Sequence, residues 1–349
     1  MKTIDLPLQI ARGVATLILA TCASTVVLAQ PGGAAPTPEQ QAMRREMEEL
    51  NKQPDPAGTG RFAAMKEEVA SLPDHVVYRP KDLAAMGSTK LGVVAWGNGG
   101  CSEDAASSRF HLLELASHGY LVIANGKILS GPGAPPRAQP AARPAQAQGQ
   151  APAAGQPPAQ LPASRTRAAQ LTEAIDWAMK ENARNGSPYF GRIDPNQVAV
   201  SGFSCGGIQA LAVAADPRIK TMVLQNTGIF NDAGPAGAMS SEMNLSKDQL
   251  KKIHAPTIYI LGGDTDIAYK NGMDDFKRID HVPVAVANLL GVGHGGSYNK
   301  PNGGAAAQTA VRWLNWTLRG DKEAGKWFLG KDCGLCKDSA WSFEGKGLK

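Results

Sequence analysis

Three residues spread over ninety positions carry the types, and the order, that acyl-transfer chemistry needs. Ser204 lies in Gly202-Phe203-Ser204-Cys205-Gly206, Asp266 in Gly263-Asp264-Thr265-Asp266, and His294 in Gly293-His294-Gly295-Gly296. A serine hydroxyl is a weak nucleophile until an adjacent imidazole takes its proton, and a carboxylate fixes the tautomer that lets the imidazole do so. The G-x-S-x-G run stands between an apolar stretch, Val198–Val200, and a helix-forming stretch, Ile208–Ala215. Strand, sharp turn and helix in that order hold a serine hydroxyl above a sheet edge. Glycines flank the serine because the turn is strained and a Cβ there would meet neighbouring strands.

The other two candidates also sit where strands end. Pro256–Gly262 is a buried-type apolar strand that runs into the Asp264/Asp266 turn, and Val282–Gly291 is another that runs into His294. Open α/β sheets build their sites at such carboxyl ends. Asp266 is the favoured acid because the fourth position of G-x-x-D lets the chain turn back toward the histidine, while Asp264 suits local backbone capping. His75, His111, His118, His254 and His281 have no comparable setting, and solvated or structural roles suffice for them. Leu91–Trp96 is a further apolar strand, and it opens into the glycine-rich loop Gly97-Asn98-Gly99-Gly100-Cys101.

Through W-G-N-G-G-C, G-F-S-C-G-G, G-G-D-T-D and G-V-G-H-G-G, the chain resembles the α/β-hydrolase superfamily from about Val76 to Leu318. The similarity is to its secreted dienelactone-hydrolase, cutinase and platelet-activating-factor-acetylhydrolase-like branch. That resemblance implies an α/β fold with an eight-stranded, mostly parallel sheet flanked by helices in one domain. It implies ester hydrolysis through an acyl-serine, with no metal and no organic cofactor. It also implies an oxyanion hole made by the backbone N–H groups of Asn98 and Cys205. In the implied fold the loops bearing Cys101 and Cys205 meet, which makes those two cysteines a disulfide candidate.

The rest of the chain fits an exported enzyme. Residues 1–29 read as a signal peptide, with a short charged start, apolar Gly13–Leu28 and cleavage after Ala29. A lipoprotein reading at Cys22 is the poorer match, since Thr21 precedes it. Residues 30–60 read as a flexible tether with a helical patch at Glu39–Leu50, and Arg61–Leu72 reads as a helix leading into the domain, 61–349. Gly131–Ala163 is almost wholly Pro, Ala, Gln, Gly and Arg, and cannot bury enough surface to order itself, so it reads as a disordered surface loop. Ser164 would cap the helix that follows it. Without Cys22 four cysteines remain, an even number, and Cys333-Gly334-Leu335-Cys336 reads as a short local disulfide. The net charge of +5 is scattered, without a basic stripe, which excludes a nucleic-acid partner, and no stretch is long and apolar enough for a membrane span. Two other functions remain open: a serine peptidase on the same fold, and a non-catalytic binding or scaffold protein.

Overall fold

The computed structural model describes residues 38–136, 165–231 and 241–349. The signal-peptide reading, the lipoprotein alternative at Cys22, most of the 131–163 loop and the Ser164 cap lie outside them.

The inner apolar runs become strands buried on both faces, as parallel sheets require, and two partly exposed strands close the sheet at its edges. They are β1 (Ala64–Glu68), β2 (His75–Pro80), β3 (Leu91–Gly97), β4 (Tyr120–Asn125), β5 (Ile193–Phe203), β6 (Thr221–Gln225), β7 (Thr257–Leu261), β8 (Val284–Leu289) and β9 (Trp341–Lys346). Their order in the sheet is β1-β2-β4-β3-β5-β6-β7-β8-β9. The run from β4 through β3 to β8 is parallel, and β1, β2 and β9 join antiparallel at the edges.

Side chains alternate between two cores. Val93 and Ala95 of β3 face one core together with α3 (Ala169–Ala183) and α4 (Cys205–Ala212). Val94 and Trp96 face the other, which also takes α2 (Arg109–Ser117). The remaining α-helices among the described residues are α1 (Pro38–Lys52), α5 (Tyr269–Arg278), α6 (Gly304–Arg319) and the single turns α7 (Lys322–Gly325) and α8 (Gly334–Lys337). Helix α5 packs with the first core through Phe276, and α6 with the second through Trp313. Trp313 is fully buried and its Nε1 donates to Thr221 Oγ1 at 2.8 Å.

The sheet has nine strands where the resemblance implied eight, and one of them replaces a helix. Ala64–Glu68 lies inside the stretch read as helical, Arg61–Leu72, yet it pairs antiparallel with β2. Tertiary pairing outweighs helix propensity here. Arg79 of β2 donates to Glu67 across the pair at 2.6 Å, and Lys66 pairs with Asp55. β9 comes from the tail: Trp341 is buried and stands in register with Leu289 of β8. Residues near the start of the domain are also fixed. The Thr59 N–H donates to Glu114 Oε2 at 2.8 Å and the Gly60 N–H to Ser117 Oγ at 2.9 Å.

β3 is followed by β4 on one side and β5 on the other. The chain therefore reverses its direction of winding between β3 and β5, and the crevice beyond their carboxyl ends is where such sheets take ligands.

Candidate active site

The β5–α4 turn places Ser204 at φ 52° and ψ −118°, a left-handed backbone that a side-chain-bearing residue adopts only under constraint. The constraint is visible. The Ser204 N–H donates to Gln225 O at 2.9 Å, and its carbonyl accepts from Thr227 Oγ1 at 2.8 Å. Helix α4 starts at once with Cys205, earlier than the Ile208 start expected from the sequence. Gly206 must be glycine, because a Cβ there would collide with the Gly97 backbone.

The same edge carries the two partners. His294 Nε2 lies 2.9 Å from Ser204 Oγ, and its Nδ1 lies 2.7 Å from Asp266 Oδ1. Asp264 is exposed and makes neither contact, so the structure brings Asp266 to the imidazole. Asp266 is buried, and burial would raise its carboxyl above the usual range. Hydrogen bonds from His294, the Ala268 and Gly262 N–H groups and Asn226 outweigh that and hold it below. It is therefore an anion across the neutral range, fit to orient an imidazole and stabilise an imidazolium.

The expected oxyanion donors, the Asn98 and Cys205 N–H groups, stand close to the serine turn in the chain and in space. The Asn98 nitrogen lies 2.6 Å from the point where a Cβ on Gly206 would stand, and Cys205 is the residue after Ser204. Among the described residues neither N–H has a hydrogen-bond acceptor. Asn98 is fully buried, and its Nδ2 donates to Asn125 O at 2.6 Å and Ser102 O at 2.9 Å, which shapes the loop. Cys101 and Cys205 form a disulfide with a Cα–Cα distance of 5.2 Å, joining this loop to the serine turn. Cys333 and Cys336 form a second, local disulfide at 4.9 Å. The histidines outside the site have structural partners: His75 Nε2 meets Gln170 O, His118 meets Glu114, His254 meets Ile219 O and His281 meets Ile253 O. Buried His111 lies beside Gln225, and burial lowers its pKa to about 3.

A cavity of about 140 Å³ opens on Ser204 and His294. Its walls are mainly apolar, with Ile208, Phe230, Met243 and Ile267, and Asn226 and Asn271 add polar atoms. Larger cavities of 540 and 690 Å³, beside Trp316 and beside Arg61, are lined by neither Ser204 nor His294.

Two residues at this site were not singled out in the sequence. Asn226 follows β6 with φ 45°, and its Nδ2 donates to Asp266 Oδ2 at 2.8 Å and to Gly293 O at 3.2 Å. The hydroxyl of buried Tyr298 donates to Asn226 Oδ1 at 2.5 Å. The usable signal was position: Asn226 directly follows an apolar strand whose neighbours β5 and β7 both end in site loops.

Among the described residues no His, Cys, Asp and Glu group of three or more is arranged to hold a metal ion, and no helix is long and apolar enough to cross a membrane. Neither the protein-family models nor the curated proteins contain a match to this chain.

Proposed function

We propose that this protein is a serine carboxylic-ester hydrolase of the α/β-hydrolase type. The observation that carries the reading is a continuous relay, Ser204 Oγ to His294 Nε2 at 2.9 Å and His294 Nδ1 to Asp266 Oδ1 at 2.7 Å, ending in a strained serine. Each distance is within hydrogen-bond reach, which is the first requirement for a nucleophile, its base and the group that orients the base.

In this mechanism His294 takes the Ser204 proton as Oγ attacks the ester carbonyl. The tetrahedral oxyanion is met by the Asn98 and Cys205 N–H groups, which need no rearrangement to receive it. The imidazolium, stabilised by Asp266, gives its proton to the departing alcohol and leaves an acyl-serine. Water, deprotonated by His294, then attacks the acyl carbonyl, and Ser204 recovers its proton as the acid leaves.

The cavity bounds the substrate. At about 140 Å³ it is close to the ~150 Å³ cavity that admits one benzene ring, so it suits a short acyl group. The two disulfides fit an oxidising compartment, in line with an exported enzyme acting on acylated sugars or on ester oligomers presented to it there.

The test is labelling by a fluorophosphonate followed by peptide mapping, with turnover of p-nitrophenyl acetate, butyrate and octanoate beside aminoacyl amides. The reading expects the label on Ser204 and the fastest turnover on the shorter esters. Faster cleavage of the amides would make the protein a peptidase, and an unlabelled Ser204 would make it a scaffold.

A further inference from the structure

We infer that Asn226 and Tyr298 are positioning residues of this site: together they hold the acid loop and the histidine loop at one separation. The inference rests on the hydrolase reading. It concerns a part of the site that triad order alone does not reveal.

Asp266 and His294 arrive on separate loops, after β7 and β8, and their mutual geometry depends on what ties those loops together. One backbone bond does so, from the Gly293 N–H to Gly262 O at 3.0 Å. Asn226 adds a side-chain clamp from a third strand. One amide group donates to the acid itself, at Asp266 Oδ2, and to the backbone carbonyl of Gly293, the residue before the base. Its remaining oxygen accepts from Tyr298.

The direction of that last bond matters. The Asp266 carboxylate can only accept, so the amide must turn Nδ2 toward it, and Asn226 Oδ1 then faces Tyr298. Burial, and then the Asp266 charge, push the Tyr298 hydroxyl well above its ordinary pKa, so it keeps the proton that it donates to that oxygen. The opposite rotamer would set an amide oxygen against a carboxylate and leave a buried hydroxyl without an acceptor, and both are costly in a buried site.

The carboxylate is fully committed by this arrangement. Oδ1 takes His294 Nδ1 and the Ala268 N–H, while Oδ2 takes the Gly262 N–H and Asn226. Removing Asn226 leaves Oδ2 with the Gly262 N–H alone and loosens the carboxylate about its Cβ–Cγ bond, away from the imidazole. Tyr298 has a second lever, because its ring lies 4.7 Å from Phe203, whose ring lies 5.3 Å from that of His294. The left-handed φ of Asn226 agrees with this assignment, since asparagine is among the few residues that tolerate that backbone. The titratable groups facing the Asp266–His294 pair are Tyr298, through Asn226, and the Ser204 hydroxyl. Asp264 stands exposed on the acid loop.

The experiment uses the full chain and three variants, Asn226→Ala, Asn226→Asp and Tyr298→Phe, with kcat and KM on p-nitrophenyl acetate. The His294 imidazole is also titrated by NMR, which needs no turnover. Asn226→Ala is expected to lower kcat about ten- to a hundredfold, the worth of a hydrogen bond to a charged group, with KM within about twofold. Tyr298→Phe keeps the ring. It should cost about three- to tenfold alone and nothing further in the Asn226→Ala background, because it acts through the amide. Asn226→Asp would set two carboxyls within hydrogen-bond distance, where they share one proton, so it should lose kcat as Asn226→Ala does. In Asn226→Ala the loosened carboxylate should move the His294 titration, and the acid limb of kcat/KM, to lower pH.

An unchanged kcat in Asn226→Ala, additive losses in the double variant, or an unmoved His294 titration would each overturn the assignment. A wild type that neither turns over nor takes the fluorophosphonate would defeat the hydrolase reading instead, and the NMR titration would still report on the clamp.

Discussion

The molecule contains two carboxylate–imidazole pairs that look alike in isolation. His294 and Asp266 meet at 2.7 Å, and His118 and Glu114 at 3.1 Å. In both, the carboxylate side chain is fully buried and about a quarter of the imidazole is exposed, 26% and 24%. Both carboxyls sit below their usual range: burial would raise Glu114, but donors from His118, Thr59 and Gln308 bring it to about 2. Burial and a depressed pKa therefore do not mark an active site, since an ion-pair network perturbs a carboxyl just as far.

What separates the pairs is the other ring nitrogen and the backbone beyond it. His118 spends Nε2 on a carboxylate one helical turn earlier on its own helix, and that carboxylate also receives Thr59 and Gln308. His294 spends Nδ1 on its carboxylate and keeps Nε2 for a hydroxyl on a strained turn. The first pair ties the chain before β1 to α2, and the second leaves an imidazole nitrogen against a hydroxyl, as the proposed proton transfer requires.

The largest expected effects break the pairs apart. Ser204→Ala or His294→Ala should each lower kcat by about six orders of magnitude, while His118→Ala stays within about twofold, measured on p-nitrophenyl acetate with purified, folded protein. A comparable loss in His118→Ala would show that the two pairs are not functionally distinct. Next comes Asp266→Asn, which should lower kcat about four orders of magnitude by upsetting the histidine tautomer. Asp264→Asn should stay within a few-fold, and the reverse ranking in steady-state kinetics would move the acid by two residues.

The site was more legible in the sequence than the sheet around it. Ser204, Asp266 and His294 announce themselves because each glycine-rich turn follows an apolar strand, a local signal that needs no tertiary information. The Cys101–Cys205 bridge came from the loops that the resemblance brings together, and the structure joins them. β1 was illegible for the opposite reason. Ala64-Met65-Lys66-Glu67-Glu68 has helix-forming composition, and only the neighbouring β2 with Asp55 and Arg79 makes it a strand. The tail strand β9 was missed likewise, because Trp341 and Phe343 gain meaning only against β8 and Phe328. Asn226 and Tyr298 carry no motif, and their roles exist only where three loops converge.

A smaller effect is expected where the site meets a covalent tie. The Cys101–Cys205 bridge spans 104 residues, which in the chain-entropy model stabilises by about 4–5 kcal/mol, whereas Cys333–Cys336 spans only 3 and contributes far less. Cys101→Ser should lower thermal stability clearly. It should also lower kcat about tenfold with KM near its wild-type value, because the donors at Asn98 and Cys205 lose their fixed register. Cys336→Ser should leave kcat unchanged. Equal kinetic effects from the two changes would mean that the buried bridge contributes only stability.

The smallest kinetic effect and a distinct stability effect belong to Glu114. Its folded pKa, about 2 against an ordinary 4.5, means that the folded form holds the proton less readily than the unfolded one. The stability this confers is fully present above pH 4.5 and is lost as pH falls from 4.5 toward 2. A shift of that size corresponds to roughly 3 kcal/mol, an upper figure for a buried group with several donors. Asp266, also depressed, adds to the same acid slope with the same sign. Glu114→Gln should therefore lower stability at pH 7 by about 2–3 kcal/mol in urea unfolding and flatten the dependence between pH 4.5 and 2, while kcat at pH 7 stays unchanged. A loss of kcat without loss of stability would invert the assignment, giving the α2 pair a part in turnover that its commitment to Thr59 and Gln308 argues against.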